Sequence, residues 1–260
     1  MNKNTQYRID EIRKNGYALD FGNVFNHAFE NYKKIALYAG LMLFVFMILM
    51  SIFAIVALFT FFDPETVLEK LKAENLQPEN LTLNSILIFS GVSILLSSLL
   101  SPFSAGLIKM AYCAEIDEEF HVSTMFEYYK ARYFKELFIA TFLITLLSTG
   151  LPKLFDYAQI PFVGFIITVL VTLFTLITIP LIIFGNLKAV EAIQASILIV
   201  SKQPVVLLGL LVIGIIATLV GLIGCCIGIV FTIPFMYSLY YATYSEIIGF
   251  EKEDKLEEMK

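Results

Sequence analysis

The sequence predicts an all-α, polytopic membrane protein with six transmembrane helices, arranged as three helical-hairpin repeats that are each preceded by a cytoplasmic amphipathic helix. Composition supports this fold class, because 58% of the residues are hydrophobic, the mean hydropathy is +0.79 and only 16% are charged. A typical soluble domain is about a quarter charged. The charges are also segregated, and a spaced set of prolines recurs in the long stretches that carry none.

Five uncharged stretches hold the predicted spans, since a spanning helix needs about 20 apolar residues. The stretches are 35–62, 80–108, 137–152, 157–187 and 203–245, and the last is long enough for two helices. The predicted spans are about 35–62, 85–110, 137–152, 160–185, 204–222 and 226–245. Together they form a single membrane domain, 19–249, between a cytoplasmic N-terminal segment, 1–18, and a charged cytoplasmic tail, 250–260.

The distribution of Lys and Arg predicts the orientation. With six spans and a cytoplasmic N-terminus, 15 of the 18 Lys and Arg residues lie inside, and only Lys70, Lys72 and Lys153 lie outside. Omitting the third span gives 11 inside and 7 outside. Because positive residues accumulate on the cytoplasmic side, we expect six spans, both termini in the cytoplasm and residues 63–84 outside. The first 34 residues lack the apolar core of a cleavable signal peptide.

Three prolines mark the internal repeat. Pro102, Pro180 and Pro234 occur in "LLSPFSAG", "LITIPLII" and "VFTIPFMY", each in a span that returns toward the cytoplasm. A glutamate follows each of them 11–13 residues later, at Glu115, Glu191 and Glu246. We therefore predict kinks at matched depths around a pseudo-threefold axis. The alternative is that each proline simply faces lipid.

Hydroxyl residues close to the prolines support kinks, because spanning helices tolerate proline where neighbours satisfy the freed carbonyls. These residues are Ser97, Ser98, Ser101, Thr175, Thr178 and Thr232. A stripe of Tyr237, Tyr240, Tyr241 and Tyr244 follows the third proline. It predicts an interfacial aromatic belt or a packing face.

An amphipathic segment precedes each predicted hairpin and ends in a cation: Lys34, Lys135 or Lys202. Apolar residues recur there at the spacing of one helix face. They are Phe21, Val24, Phe25, Ala28, Phe29 and Tyr32; Val122, Met125, Phe126, Tyr129 and Tyr133; and Val190, Ile193, Ile197 and Val200. Thr124 and Glu127 fit a capping box, and Asn186 fits an N-cap. We expect the segments to lie on the membrane surface, with packing against protein as the alternative.

No catalytic, cofactor-binding or metal-ligating residues are predicted, and an enzyme is not expected. His27 and His121 each stand alone on a predicted surface helix, and the HExxH, GxSxG and P-loop patterns are absent from the sequence. The charged residues nearest the spans lie at the cytoplasmic boundary, where a polar cluster could form: Lys109, Glu115, Glu191 and Glu246. The three cysteines are expected to pack as small hydrophobes.

Four segments carry a resemblance to a family: "FGNVFNHAFENYKK", "SPFSAGLIKMAY", "KAVEAIQASILIVSKQP" and "GCCIGIVFTIPFMYSLYYATY". Over nearly the whole chain they resemble bacterial six-span membrane proteins. These include the membrane domain of some glycerophosphoryl diester phosphodiesterases and its stand-alone relatives of unknown function. The resemblance implies a location in the bacterial inner (plasma) membrane and offers no catalytic residues to transfer.

The leading functional hypothesis is a non-catalytic membrane protein that binds membrane lipid or a protein partner at its cytoplasmic face, and not nucleic acid. One alternative is a small transporter of a lipid or small molecule, because repeats and broken helices are common in transporters. A polar cavity at the level of Pro102, Pro180 and Pro234 would favour it. The last alternative is a membrane-embedded enzyme.

Overall fold

A computed structural model describes residues 3–61, 83–119, 121–224 and 227–250. These residues form helices and turns, without a strand in any of the described ranges. Most of the predicted outer segment 63–84, the two neighbouring cysteines at 225 and 226, and the tail beyond Phe250 lie outside the described residues.

Eleven α-helices follow one another in the described ranges. They are α1 Lys3–Asn15, α2 Phe21–Phe61, α3 Leu83–Glu115, α4 Val122–Phe126, α5 Ala131–Thr145, α6 Leu151–Tyr157, α7 Pro161–Phe174, α8 Thr178–Ile183, α9 Ala189–Lys202, α10 Pro204–Val220 and α11 Ile227–Ile247. A π turn, Leu146–Gly150, joins α5 to α6, and 3₁₀ turns occupy Glu127–Tyr129 and Gly221–Gly224.

Five helical segments are long and apolar enough to cross a membrane, so the all-α, multi-pass prediction is confirmed. They are Phe21–Ala57, Ile86–Glu115, Arg132–Tyr157, Pro161–Ile183 and Pro204–Ile223. The third was expected at 137–152 and is longer, at 26 residues, because α5, the π turn and α6 run on as one segment. The helix α11 is not among the five, since its second half is rich in tyrosine. The sixth span stays a prediction.

Local signals explain where several helices begin and end. The Asp20 carboxylate accepts a hydrogen bond from the Asn23 amide at 2.7 Å, which caps α2. Pro161 and Pro204 open α7 and α10, where a missing amide hydrogen costs nothing. Gly16 and Gly249 follow α1 and α11 with φ angles of 71° and 76°, the left-handed geometry in which helices often end.

The helices that carry the three prolines meet in the middle of the bundle. α3, α8 and α11 contact one another pairwise. Around them, α2 packs on α11 and α3, α5 packs on α3 and α8, and α10 packs on α11 and α7. We call the end formed by residues 3–34, 108–119, 121–136, 182–203 and 244–250 the proximal end. The opposite end, with 45–61 and 151–163, is the distal end.

The two ends differ in burial. The core is densest at the proximal end, where Ile108, Met110, Ile182 and Tyr244 are almost completely buried. In the distal half of α2, neighbouring apolar residues on every side of the helix are exposed: Val45, Met47, Ile48, Leu49, Ile52, Phe53, Ile55, Val56 and Phe59. A helix that is apolar all round and uncovered by protein belongs in a membrane.

Pro102, Pro180 and Pro234 are all buried, which excludes the alternative that they face lipid. Pro102 cannot supply the amide that would bond the Ser98 carbonyl, and the Ser101 hydroxyl donates to that carbonyl at 2.7 Å instead. Before Pro180 the helix is interrupted between Phe174 and Thr178. The Phe174 carbonyl there accepts a hydrogen bond from the Ser196 hydroxyl at 2.8 Å. At Pro102 the donor is one of the predicted hydroxyls. Near Pro180 it is Ser196, whereas Thr175 donates to the Val171 carbonyl and the buried Thr178 hydroxyl has no partner among the described residues, so the prediction of those two was wrong.

Matched depth holds for two of the three prolines. The Ser104 and Tyr237 hydroxyls, just beyond Pro102 and Pro234, lie 3.4 Å apart, so these prolines share a level. Phe184 follows Pro180 by only four residues, yet its ring packs on Tyr112 and Tyr241, which lie ten and seven residues beyond their own prolines. Pro180 is therefore closer to the proximal end by about 4–9 Å, at 1.5 Å per helical residue. The expectation of equal depth was wrong there.

The first amphipathic segment does not form a helix of its own. Residues 21–34 are the beginning of α2, which continues without a break for 41 residues. Val24 and Ala28 are completely buried, and Phe25 lies edge-on to Phe235 of α11 at 5.8 Å. The Ser238 hydroxyl donates to the Ala28 carbonyl at 2.7 Å. Most of the predicted face therefore packs against protein, while Phe21 and Phe29 remain exposed.

The other two segments differ in length. The second is divided into the short α4 and a 3₁₀ turn, and Thr124 accepts a hydrogen bond from the His121 amide, so the Thr124–Glu127 capping box is not formed. The third is the separate helix α9, which ends at Lys202 as predicted. Its N-cap is Lys188, because Asn186 adopts a left-handed conformation with φ of 53°.

Two smaller predictions concern packing. Tyr241 and Tyr244 are almost completely buried, so that part of the tyrosine stripe is a packing face. Cys113 is a free, buried thiol, as expected of a cysteine that packs as a hydrophobe.

Candidate functional site

A histidine between two carboxylates is the most concentrated polar feature of the proximal end. The His27 Nε2 atom of α2 lies 2.7 Å from a Glu115 oxygen of α3, and its Nδ1 atom lies 3.1 Å from a Glu246 oxygen of α11. The histidine side chain is 19% exposed, and the two glutamates are 23% and 39% exposed. The three groups therefore tie the ends of three helices together at the edge of the core.

The protonated form of His27 fits this geometry. A neutral imidazole has one donor nitrogen, whereas an imidazolium donates from both, and both nitrogens here face carboxylate oxygens. The Tyr241 ring stands at 87° to the imidazole with 5.9 Å between ring centroids, which fixes its orientation. One turn further along α2, the Asn31 side chain is buried, and its amide nitrogen has no hydrogen-bond partner among the described residues.

Sequence reasoning anticipated part of this site. Glu115, Glu191 and Glu246 were recognised as equivalent boundary glutamates, and the structure brings Glu115 and Glu246 together on one imidazole. The expectation that His27 stands alone was wrong, because its partners are 88 and 219 residues away along the chain. Glu191 does not join them, and its carboxylate accepts a hydrogen bond from the Lys188 amide at the start of α9.

An aromatic cluster lies beside the polar site, where α3, α8 and α11 converge. Its members are Tyr112, Phe184, Tyr241, Tyr244 and Phe250, with ring centroids 5.1–6.0 Å apart in eight pairs. Lys109 lies over the Tyr112 ring at 4.3 Å, within the range of a cation–π contact. The cluster fills the proximal end of the bundle axis with rings in place of open space.

Cations close the proximal ends of two helices. Lys34 donates to the Ala114 carbonyl at 2.7 Å, and it also pairs with Asp117 at 2.6 Å. Arg8 of α1 donates to the Ile247 carbonyl at 3.0 Å. Positive charge at a helix C-terminus is favourable because the last carbonyls point outward there.

Further hydrogen bonds hold the N-terminal helix and the turn that follows it against α9. Lys202 donates to the Arg13 carbonyl at 3.1 Å, and Tyr17 donates to the Ile199 carbonyl at 3.2 Å. Burial raises the pKa of the Tyr17 phenol, so the group remains a donor. A cavity of about 360 Å³ separates α1 from α9 and is lined by polar residues of both, including Asp10, Arg13 and Glu191.

The cluster of His27, Glu115 and Glu246 can hold a proton on the imidazole and can join α2 to α3 and α11. Within the described ranges, no three His, Cys, Asp or Glu side chains are grouped so that they could hold a metal ion. The two ring nitrogens of His27 point at different carboxylates, so the cluster surrounds the imidazole and leaves no shared centre.

The fold and this site define a multi-pass helical membrane protein whose histidine–glutamate cluster lies at one end of the bundle. Comparison with protein-family models, with curated proteins and with solved structures finds no match to the chain. The resemblance to the membrane domain of glycerophosphoryl diester phosphodiesterases therefore stays a prediction.

Proposed function

We propose that the chain is a non-catalytic, six-span protein of the bacterial inner membrane that binds membrane lipid through its proximal end, with both termini in the cytoplasm. One observation carries the proposal. All three segments that lead into the hairpins leave large apolar side chains exposed next to cations: Phe29 by Lys33, Phe126 and Tyr129 by Lys130, and Val190 by Lys188. The Lys33 ammonium lies 5.4 Å from the Phe29 ring centre.

This combination suits the boundary of a bilayer. Aromatic and aliphatic side chains enter the acyl region while neighbouring cations meet the phosphates, and each cation near an anionic leaflet contributes about 1 kcal/mol. Val122 and Phe126 are 56% and 45% exposed on the short helix α4, and Lys130, Arg132 and Lys135 follow them. A protein partner at the same face is the alternative occupant.

The sixth span and the pseudo-threefold arrangement belong to the same proposal. With 21 residues, α11 is about 32 Å long at 1.5 Å per residue, which matches a hydrocarbon core of about 30 Å. It packs along two segments that are themselves apolar enough to span, α2 and α10. The pairwise contacts of α3, α8 and α11, with α2, α5 and α10 around them, support three related hairpins.

Buried prolines and the aromatic cluster favour a binding protein over a transporter. Pro102, Pro180 and Pro234 are buried in the bundle, whereas a transport path at their level needs polar walls. Rings of Tyr112 in α3, Tyr241 in α11 and Phe184, which directly follows α8, fill the proximal end. A substrate that followed the axis would have to displace them.

Hydrogen exchange of the full-length protein in lipid nanodiscs tests the proposal. We compare nanodiscs of phosphatidylcholine alone with nanodiscs that contain phosphatidylglycerol, and follow the amides of residues 121–135. The anionic lipid should slow their exchange, and the double variant Lys130→Gln, Lys135→Gln should lose that effect. Lys153→Gln, at the distal end, is the control and should keep it. Equal exchange rates of residues 121–135 in the two kinds of nanodisc would refute lipid binding at this face.

A further inference from the structure

A crevice between α6 and α7 opens at the distal end. Its volume is about 240 Å³, and its lining combines hydroxyls, two charges and apolar side chains: Ser148, Thr149, Pro152, Lys153, Asp156, Pro161, Gly164, Phe165 and Thr168. The π turn before α6 forms one wall, and such turns are frequent at functional sites. The Thr168 hydroxyl crosses the crevice to donate to the Ser148 carbonyl at 3.0 Å.

A cation and an anion stand side by side in this crevice. The Lys153 ammonium lies 3.3 Å from an Asp156 carboxylate oxygen, and the two side chains are 51% and 41% exposed. An ion pair this exposed contributes about 0–1 kcal/mol, so a ligand can replace it at little cost. The Ser148 and Thr149 side chains add hydroxyl groups to the same lining.

The surroundings of the crevice are apolar. Phe165, which lines it, is 66% exposed, and Leu154, Tyr157 and Phe162 on the same two helices are 51%, 59% and 71% exposed. The crevice lies where two membrane-spanning segments, Arg132–Tyr157 and Pro161–Ile183, turn into each other. This is the depth of lipid headgroups, with acyl chains along the helices below.

We propose that this crevice binds the headgroup of a zwitterionic phospholipid such as phosphatidylethanolamine. The phosphate contacts the Lys153 ammonium and the neighbouring hydroxyls, and the protonated amine contacts Asp156. The acyl chains follow the exposed faces of α6 and α7 past Phe165. The site goes beyond the proposed function, which concerns the proximal end, and depends only on the hairpin being embedded in a membrane.

The paired charges account for the choice of lipid. An anionic headgroup satisfies Lys153 but brings a second negative charge toward Asp156, so phosphatidylglycerol should bind less tightly. A soluble phosphate ester with an amine has the same polar groups but cannot use the apolar walls. Glycerophosphoethanolamine therefore separates a lipid from a free metabolite as the source of the headgroup.

Native mass spectrometry of the full-length protein in detergent measures the binding. Dioleoyl phosphatidylethanolamine, dioleoyl phosphatidylglycerol and glycerophosphoethanolamine are each titrated into wild type, Lys153→Gln and Asp156→Asn. The pair Arg13 and Asp10 provides matched controls, since it has the same i,i+3 spacing and the same 3.3 Å separation on α1, outside the candidate spans. The controls are Arg13→Gln and Asp10→Asn.

Each variant of the crevice should weaken phosphatidylethanolamine binding about tenfold, as expected for the loss of a charged hydrogen-bond partner. The controls should bind phosphatidylethanolamine as tightly as wild type does. Asp156→Asn should reduce the ratio of phosphatidylethanolamine affinity to phosphatidylglycerol affinity. Wild-type affinity in Lys153→Gln, an equal loss in the controls, or equally tight binding of glycerophosphoethanolamine would overturn the proposal. The proximal nanodisc experiment does not depend on these variants, so the two proposals fail separately.

Discussion

The imidazole of His27 separates two carboxylates that would otherwise repel each other. We expect His27→Gln to destabilise the protein by about 1–2 kcal/mol, because hydrogen bonds to charged groups contribute amounts of this order and the site is partly exposed. The melting temperature of the purified protein in detergent should fall. His121→Gln is the control, since that side chain is exposed, and it should leave the melting temperature unchanged.

A second substitution tests whether the loss arises from the two glutamates. Adding Glu246→Gln to His27→Gln removes the repulsion between Glu115 and Glu246, so it should restore part of the lost stability. If His27→Gln, Glu246→Gln and the double variant all have the melting temperature of wild type, the three side chains are not energetically coupled.

The Ser101 hydroxyl replaces the hydrogen bond that Pro102 removes. Ser101→Ala should cost about 1–3 kcal/mol, the usual penalty for an unsatisfied buried polar group, since Ser98 and Ser101 are both buried. Pro102→Ala returns an amide that can bond the Ser98 carbonyl, so Ser101→Ala should cost much less in that background. A double-mutant cycle on melting temperature gives the coupling. If Ser101→Ala destabilises wild type and Pro102→Ala equally, the Ser101 hydroxyl does not compensate for the missing amide of Pro102.

Helix α3 approaches the short helix α4 through a glycine. A side chain added at Gly106 would meet the main chain of Met125 within 2.7 Å, whereas one added at Gly91 would enter open space. Gly106→Ala should therefore push α4 away from α3, at a cost of about 1–3 kcal/mol, as in other overpacked sites. Hydrogen exchange at 121–129 should speed up in Gly106→Ala and stay unchanged in Gly91→Ala. Equal exchange in both would contradict the close packing.

The helical elements were predictable where a single stretch of sequence decides them. Uncharged runs identified the five segments that are apolar enough to span a membrane, and the spacing of α9 toward Lys202 identified a separate helix. The same pattern in 21–34 gave no sign that α2 continues without a break, because an apolar face suits a lipid surface and the surface of α11 equally well. Pro180 was placed by counting residues to Glu191, and the chain leaves the helix before that count is complete.

The site was less predictable than the helices because its members come from distant parts of the chain. His27 finds Glu115 and Glu246 only after α2 has packed against α3 and α11. Spacing in a sequence contains no information about such a pairing. The signal that did exist was the glutamate after each of the three prolines. It indicated a shared position for Glu115 and Glu246 without indicating their partner, and it wrongly included Glu191.

The orientation of the whole chain can be tested at its two ends. With the three native cysteines removed, Lys153→Cys should react with a membrane-impermeant maleimide added to intact cells, because it lies in a predicted outer loop and its side chain is 51% exposed. Lys188→Cys, also exposed, should react only after the cells are permeabilised. The charge distribution predicts this difference. Reaction of Lys188→Cys in intact cells would overturn the orientation.

The packing of α2 has a consequence for how the protein is made. This helix leaves the ribosome well before α11, yet it packs on α11 more extensively than on any other described helix. The hydrogen bond from Arg8 to the Ile247 carbonyl likewise cannot form until residue 247, 239 residues later in the chain, has been synthesised. Because synthesis proceeds at about 5–20 residues per second, α2 spends on the order of ten seconds or more in the bilayer without its main neighbour. The packing of α2 is therefore completed only after α11 has been synthesised, and a chain that stops before residue 227 lacks the surface against which α2 packs.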